Sequence, residues 1–425
     1  MGATFTYAVR YWATARCVTP LRTAPADGGT ETVLTGADGR LLLQGSSIAG
    51  ALRDWLETHG SRAQADALFG SQAHGGQLIV SDGVFGRTAV QGLRPRLRID
   101  DETGAAADGG KFDLAQANAG AVFTFSLTWL GRREDGEAQA ACVERLLAAL
   151  HGGEITLGGQ KSNGFGRVEL EVRRQRYDLY DKADRERWLA DREDGEPLPL
   201  SPCEPAGRAV FTVIGQADSI LVKASAARQT KSGSCAVSLE EGGVPILPGS
   251  SVKGAVRSRA RIILGSVGRS ESLLEELFGR GAREDDKDDN GVAGQVWFED
   301  ARLAGGQRRE ITRICVSRFT GGVMRGGLFT EEPLCSPVEL RISAPAEQKT
   351  GCALLLYALR DLGCGLYNLG SGGAQGRGYL RVEHIDLRDG GKRASLSFRE
   401  GRAERLDDPD GLVEGWLTAW KEADE

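Results

Sequence analysis

The feature that most constrains this chain is that it repeats itself. QGSSIAGALR at 44–53 returns as PGSSVKGAVR at 248–257, and Leu68-Phe69-Gly70 returns as Leu277-Phe278-Gly279. Gly76-Gln77-Leu78 returns as Gly294-Gln295-Val296, and Thr103-Gly104, with a following Gly-Gly and Phe112, returns as Thr320-Gly321 with Gly326-Gly327 and Phe329. The closing loop Gly164-Phe165-Gly166-Arg167 is answered by Gly376-Arg377-Gly378. Landmarks in one order, at a period of roughly 210 residues, mark a tandem duplication. The spacing between copies widens where an acidic insertion runs from about Ala282 to Gly291. Such a chain must build two like domains, each with its own core.

The boundaries follow from composition. Residues 1–172 hold the first copy and 208–386 the second. Between them, 173–207 carries dense alternating charge and then Pro197, Pro199, Pro202 and Pro205, which reads as a linker opening with a short helix. After about 386 the repeat pattern stops, and 387–425 reads as a tail whose end, with Leu412, Trp416, Leu417 and Trp420, has helical spacing.

Within each copy strands alternate with helices. Ile48, Leu52, Trp55 and Leu56 share one helical face, with Ser46-Ser47 placed as a hydroxyl cap; Ser250-Ser251 precede Val252, Val256 and Ile263 in the same way. Residues 121–129 and 337–344 alternate as strands, and 142–150 reads as a second helix. Strands, returning hairpins and helices in this order predict an α+β, ferredoxin-like (RRM-like) domain in each half.

Composition excludes several classes. No apolar run reaches membrane-spanning length, and the N-terminus, interrupted by Arg10 and Arg16, does not read as a secretory signal. Eight Cys stand singly beside only four His, which disfavours zinc fingers and a disulfide framework and points to a reduced, cytoplasmic protein. Ser250-x-x-Lys253 with Lys349-Thr350-Gly351 imitates a penicillin-binding set, but lacks the middle motif and has Ala49 at the matching position of the first copy. Asp286-x-Asp288-x-Asn290 begins like a calcium loop, yet Trp297 stands where the closing Glu belongs, so a disordered acidic loop is the better reading. Gly159-x-x-x-x-Gly164 is followed by Phe165 rather than Lys and is no Walker loop.

Two features favour a polyanion. A G-S-S turn at a helix start offers N–H groups, hydroxyls and the positive end of the helix dipole, with Arg53 and Arg257 two turns on and Lys253 in the first turn of the second copy. Simple helix capping is the competing reading. Between 223 and 269 eight basic residues (Lys223, Arg228, Lys231, Lys253, Arg257, Arg259, Arg261, Arg269) face only Glu240 and Glu241. In a chain of net charge −6, that surplus suits a local nucleic-acid groove, a solvated basic face being the alternative.

The ordered set of P-G-S-S-x-K-G-x-x-R, L-F-G, an acidic strand end, a T-G…G-G-L-F hairpin and a glycine-rich G-x-G-R/Y loop resembles the RAMP superfamily. More narrowly it is similar to the backbone subunits of type III CRISPR effector complexes, fused in a pair as in type III-D-like systems. The resemblance implies guide-RNA (crRNA) binding, held by Gly45, Ser46, Ser47 and Arg53 and by Gly249, Ser250, Ser251, Lys253 and Arg257. It assigns the same role to Gly159, Lys161, Asn163, Gly164 and Arg167, and to Gly372, Gly373, Gln375, Gly376 and Arg377. Thumb hairpins that wedge into the guide–target duplex would lie near 97–113 and 313–331. Active relatives carry an Asp before the G-S-S helix and cut target RNA. Here Asp27 and Glu31 are the acids near that position in copy one, while copy two has Ser234 or Cys235 and no Asp. A plain turn Asp before Gly28-Gly29 is the competing reading of Asp27. Mg2+ or another divalent cation would serve only cleavage. The implied partners are crRNA, target RNA and the large, small and further backbone subunits of an antiviral ribonucleoprotein. A stand-alone CRISPR-transcript-processing endoribonuclease and a non-catalytic protein-interaction scaffold remain as alternatives.

Overall fold

The computed structural model describes residues 5–24, 29–100, 106–201, 207–230, 233–281 and 291–423. The chain forms two compact units. One comprises Met1–Leu93, Leu114–Lys161 and Phe165–Ala206; the other comprises Gly207–Glu425 together with the short segments Arg94–Asp113 and Ser162–Gly164. No helix among the described residues is long and apolar enough to cross a membrane.

In the first unit, strand Tyr7–Cys17 runs antiparallel between Val122–Gly131 and Val168–Asp178. Gly83–Phe85 and Leu78–Val80 pair with the outer side of Val122–Gly131, and Glu196–Leu198 closes the far edge of the seven-stranded sheet. Val9, Tyr11, Ala13, Ala15 and Cys17 point inward while Thr14 and Arg16 face out, the period-two pattern of a half-buried strand. Helices α1 (Gly45–His59) and α2 (Arg62–Phe69) follow the first strand, and α3 (Arg133–Gly152) follows the third; Ile48, Leu52, Leu56, Leu68, Val143, Leu146 and Leu150 join the sheet in one core. Helix α4 (Lys182–Ala190) lies beyond it in sequence.

The second unit repeats the plan. Strand Arg208–Ile220 lies between Leu334–Pro345 and Leu380–Asp389, and Trp297–Phe298 pairs beyond Leu334–Pro345. Helices α5 (Gly249–Ser266) and α6 (Ser272–Phe278) follow the first strand and α7 (Lys349–Gly363) precedes the last of these. Each unit thus orders its four main strands 2-3-1-4, counted along its own repeat. Two hairpins stand in corresponding places: Gln91–Ile99 pairs with Ala106–Ala117, and Ile311–Val316 with Val323–Glu331. Residues 101–105 of the first lie outside the described residues, as do 202–206 and the acidic stretch 282–290 with its calcium-like motif.

The structure changes several sequence expectations. Ser46 and Ser47 do not cap α1; Gln44 holds the cap position, without a side-chain bond, and Pro248 does so for α5. The cause is steric. A Cβ on Gly45 would lie 2.5 Å from the Val80 carbonyl oxygen, so the helix must start with glycine pressed on a strand. The presumed linker also begins late, because Val168–Asp178 stays in the sheet to Asp178. Likewise the presumed tail continues the second sheet through Lys392–Arg399 and Arg402–Asp407. Helix α8 (Leu412–Glu422) then seals that core with Leu412, Val413, Trp416 and Trp420.

Candidate functional site

Both helices α1 and α5 begin against a carboxylate. The Gly45 N–H donates to Asp82 Oδ1 at 2.7 Å, and the Gly249 N–H donates to Asp300 Oδ1 at 2.8 Å. Each acid follows the short strand at Val80 or Phe298, so the acidic strand end seen in the sequence is the true cap. It satisfies one of the helix's orphan donors and sits favourably at the positive end of its dipole. The glycine that makes room for this capping recurs in copy two, where a Cβ on Gly249 would lie 2.0 Å from the Phe298 carbonyl oxygen.

Around the start of α5 the charges are unequal. Arg94, 2% exposed, donates to Asp300 Oδ2 at 2.6 Å and to Glu241 Oε2 at 3.0 Å. One turn into the helix Lys253 has Nζ 2.9 Å from the Ser162 hydroxyl, and burial together with Arg257 and Arg96 pulls its pKa down to about 8. Arg96 is itself lowered to about 10, by burial first and then by Arg94. The Arg257 Nε is buried without a hydrogen-bond partner among the described residues. Ser250 and Ser251 lie half-buried in the first turn beside this group. Two partly buried cations without a facing carboxylate are costly unless an anion joins them.

In the first unit the matching arginine is spent. Arg53 bonds the Glu57 carboxylate at 2.8 Å, the Gly70 carbonyl at 2.7 Å and the Asp66 carboxylate, bracing α1 to α2. Ser46 and Ser47 are exposed, and Ala49 replaces the lysine. Lys161 is lowered by burial, with Asp54 opposing.

The glycine-rich loops are held alike. The Gly159 N–H donates to the Arg22 carbonyl at 3.0 Å, and in the second repeat the Ser371 N–H donates to Leu221 at 2.8 Å. Gly164, Gly372 and Gly376 take positive φ, which turns these loops tightly. Gly373 lies against the Asn368 amide. Asn163 is half-buried in its short helical turn, while Gln375 is exposed and its side-chain oxygen accepts from Arg313. Arg167 packs against Gly153, its backbone bonding Val18 and Thr19. Arg377 is buried and paired with Glu331 at 2.7 Å. That glutamate also takes Lys223 and Arg313, so Arg377 is committed to an internal ion cluster.

The same pairing takes up four of the seven described cations between 223 and 269, Lys223 among them. Arg228 meets Glu332 and Glu310, Arg259 meets Asp361, Arg261 meets Glu271, and Arg269 stacks over Trp420. Lys231 lies outside the described residues. Among the described residues Lys253 and Arg257, on one face of α5, have no carboxylate partner.

Of the acidic candidates, Asp27 lies outside the described residues and Glu31 is exposed. Sequence reasoning missed Arg22, whose guanidinium bonds the carbonyls of Ala115 at 2.6 Å and Thr30 at 3.0 Å, anchoring the loop that carries Glu31. Nothing in its own neighbourhood in the sequence signals that role. In copy two Cys235 is buried, and burial raises its thiol pKa, which leaves it protonated and inert. No three His, Cys, Asp or Glu side chains come together as a metal site among the described residues.

Comparison with known proteins adds one finding. The family model described as the RAMP superfamily matches residues 14–169 and, separately, 230–381. No curated protein matches the chain.

Proposed function

Because the chain belongs to the RAMP superfamily, whose model matches it in two successive regions, we propose that it is a double backbone subunit of a type III-like CRISPR ribonucleoprotein. In this reading both repeats are ferredoxin-like, the first running through Val168–Asp178 and the second through Leu380–Asp389, and the hairpins at Gln91–Ala117 and Ile311–Glu331 are the thumbs. The 2-3-1-4 strand order with helices after the first and third strands supports the first assignment. The protein binds crRNA in the cytoplasm, alongside large, small and further backbone subunits, and presents it to target RNA in antiviral defence. Sequence would be read by base pairing, leaving the protein only phosphates and shape to hold.

The observation that carries this reading is the Lys253–Arg257 face of α5. Its lysine is held near pKa 8 by burial and neighbouring cations, and its arginine has a buried Nε without a hydrogen-bond partner among the described residues. A phosphate there would relieve both. The test is guide-RNA binding by the full chain across a salt series. Single-strand binding should show a log–log slope of about −0.7 per phosphate contacted. The Lys253→Glu/Arg257→Glu double variant should bind more weakly and with a slope shallower by about 1.4, two contacts' worth. Unchanged affinity and slope would refute the assignment and favour a scaffold.

Cleavage of paired target RNA is a separable part of the proposal and falls to the loop of Asp27 and Glu31. Replacing each by Ala, in the assembled complex with target present, should abolish cutting at that unit while leaving guide binding intact. Cutting that survives both changes would remove this loop from catalysis.

A further inference from the structure

Lys253 is set apart from the chain's other lysines. Lys182 and Lys223 face the carboxylates of Glu186 and Glu331, Lys161 has Asp54 opposing its burial, and Lys349, Lys392 and Lys421 are exposed. Lys253 is half-buried, meets the Ser162 hydroxyl at 2.9 Å, and is crowded by the like charges of Arg257 and Arg96. Burial and crowding both favour the uncharged amine, which is the nucleophilic form. An N–H donated to Ser162 keeps the lone pair of that amine free. The position is used once in the duplication, because Ala49 stands there in the first repeat.

Beside that amine stands a group suited to a phosphate. Arg257 lies one turn on, on the same face of α5, and its buried Nε has no hydrogen-bond partner among the described residues. A small molecule carrying a phosphate next to a reactive carbonyl would be held by Arg257 with its carbonyl turned to the lysine. Charge-assisted bonds to the phosphate supply the grip, and holding the two reactants together speeds the step.

We propose that Lys253 is a site of acylation by acyl phosphates, and that the modification switches off the anion-binding face of α5. Nζ attacks the carbonyl carbon and a C–N bond forms. The bond from that carbon to the phosphate oxygen breaks, and phosphate leaves with the proton that the amine gives up. The product is a neutral amide. It removes the charge that Arg257 and Arg96 repel, and it adds a carbonyl acceptor to the face that carries the unpartnered Arg257 Nε. The acylation itself needs no RNA; its effect on RNA rests on the reading proposed above.

The test is peptide mass spectrometry of the full chain incubated with acetyl phosphate. The N-hydroxysuccinimide ester of acetic acid, which carries no phosphate, is the comparison. Acetyl phosphate should modify Lys253 at least about tenfold faster than Lys392 or Lys421, the amine being activated by desolvation and neighbouring cations. The ratio should be smaller with the ester, and inorganic phosphate should slow the acetyl phosphate reaction at Lys253 but not at Lys392. Equal labelling of Lys253 and the exposed lysines overturns the proposal. So does an equal ratio with the two reagents, or no protection by phosphate, because either removes acyl phosphates as the donor class. The chain acetylated at Lys253 should then bind guide RNA more weakly, with a log–log slope shallower by about 0.7. Acetylation that leaves RNA binding unchanged overturns the switch. Failure of the ribonucleoprotein reading shows separately, as an unmodified chain that binds no guide RNA although Lys253 is selectively acetylated.

Discussion

Asp300 joins two elements through one carboxylate: Oδ1 accepts the first N–H of α5 and Oδ2 accepts the Arg94 guanidinium at 2.6 Å. Arg94 is 2% exposed and its other prong rests on Glu241. A buried charge network of this kind adds little net stability against apolar replacements, but losing one member strands the others in a poorly solvating interior.

Removing Asp300 should therefore be far more damaging than removing its counterpart. Asp300→Ala is expected to cost about 3–5 kcal/mol, the range for breaking a buried ion pair. Asp82→Ala, which loses only a part-buried helix-start bond, should cost about 1–2 kcal/mol. Urea unfolding of the two variants gives the comparison directly. Equal losses would mean that Arg94 is not held by Asp300.

Lys253 makes anion binding sensitive to pH. Its pKa is depressed to about 8, so it is protonated below that value and loses its charge above it. RNA affinity should be flat below pH 8 and fall by up to about tenfold per unit above it, one proton being linked to binding. The Lys253→Arg variant, which keeps its charge, should erase this dependence. For folding the sign is opposite. The unfolded chain holds this proton up to its ordinary pKa of 10.5, so the group's contribution to stability rises between pH 8 and that value.

Arg53 and Arg257 stand at the same place in the repeat and should separate cleanly. Arg53→Ala loses its bonds to Glu57, Asp66 and Gly70 and should lower the melting temperature while sparing RNA affinity. Arg257→Ala should weaken RNA binding and leave unfolding nearly unchanged. Thermal melts paired with binding isotherms decide it; parallel behaviour would make both residues structural.

The end of the chain belongs to the second core. Trp416 is 2% exposed and stacks on Phe211 with ring centroids 5.3 Å apart. Trp416→Ala should cost about 3–5 kcal/mol, whereas Leu189→Ala at an exposed position should stay within about 0.5 kcal/mol. Calorimetry of the two variants measures the difference. A mild Trp416 effect would detach α8 from the core.

The duplication, the helices at Gly45 and Gly249 and the terminal helix were legible because each rests on local pattern: apolar spacing at 3.6 residues, or a motif that recurs. The capping of those helices was not legible as hydroxyl chemistry. Asp82 and Asp300 lie 37 and 51 residues from the glycines they bond, and only folding brings a strand end to a helix start.

The sequence alone determined that two like α+β units exist, and which residue types recur at each helix start and loop. Tertiary structure decided which of those residues are available. Lys223, Arg228, Arg259 and Arg377 are consumed by carboxylates distant in sequence and Arg53 by the nearer Glu57 and Asp66, while among the described residues Lys253 and Arg257 are left without one. The physical reason is range. Helical and strand periodicity is set by neighbours a few residues apart, whereas the charge state and free valence of a side chain depend on partners that only the packed fold selects.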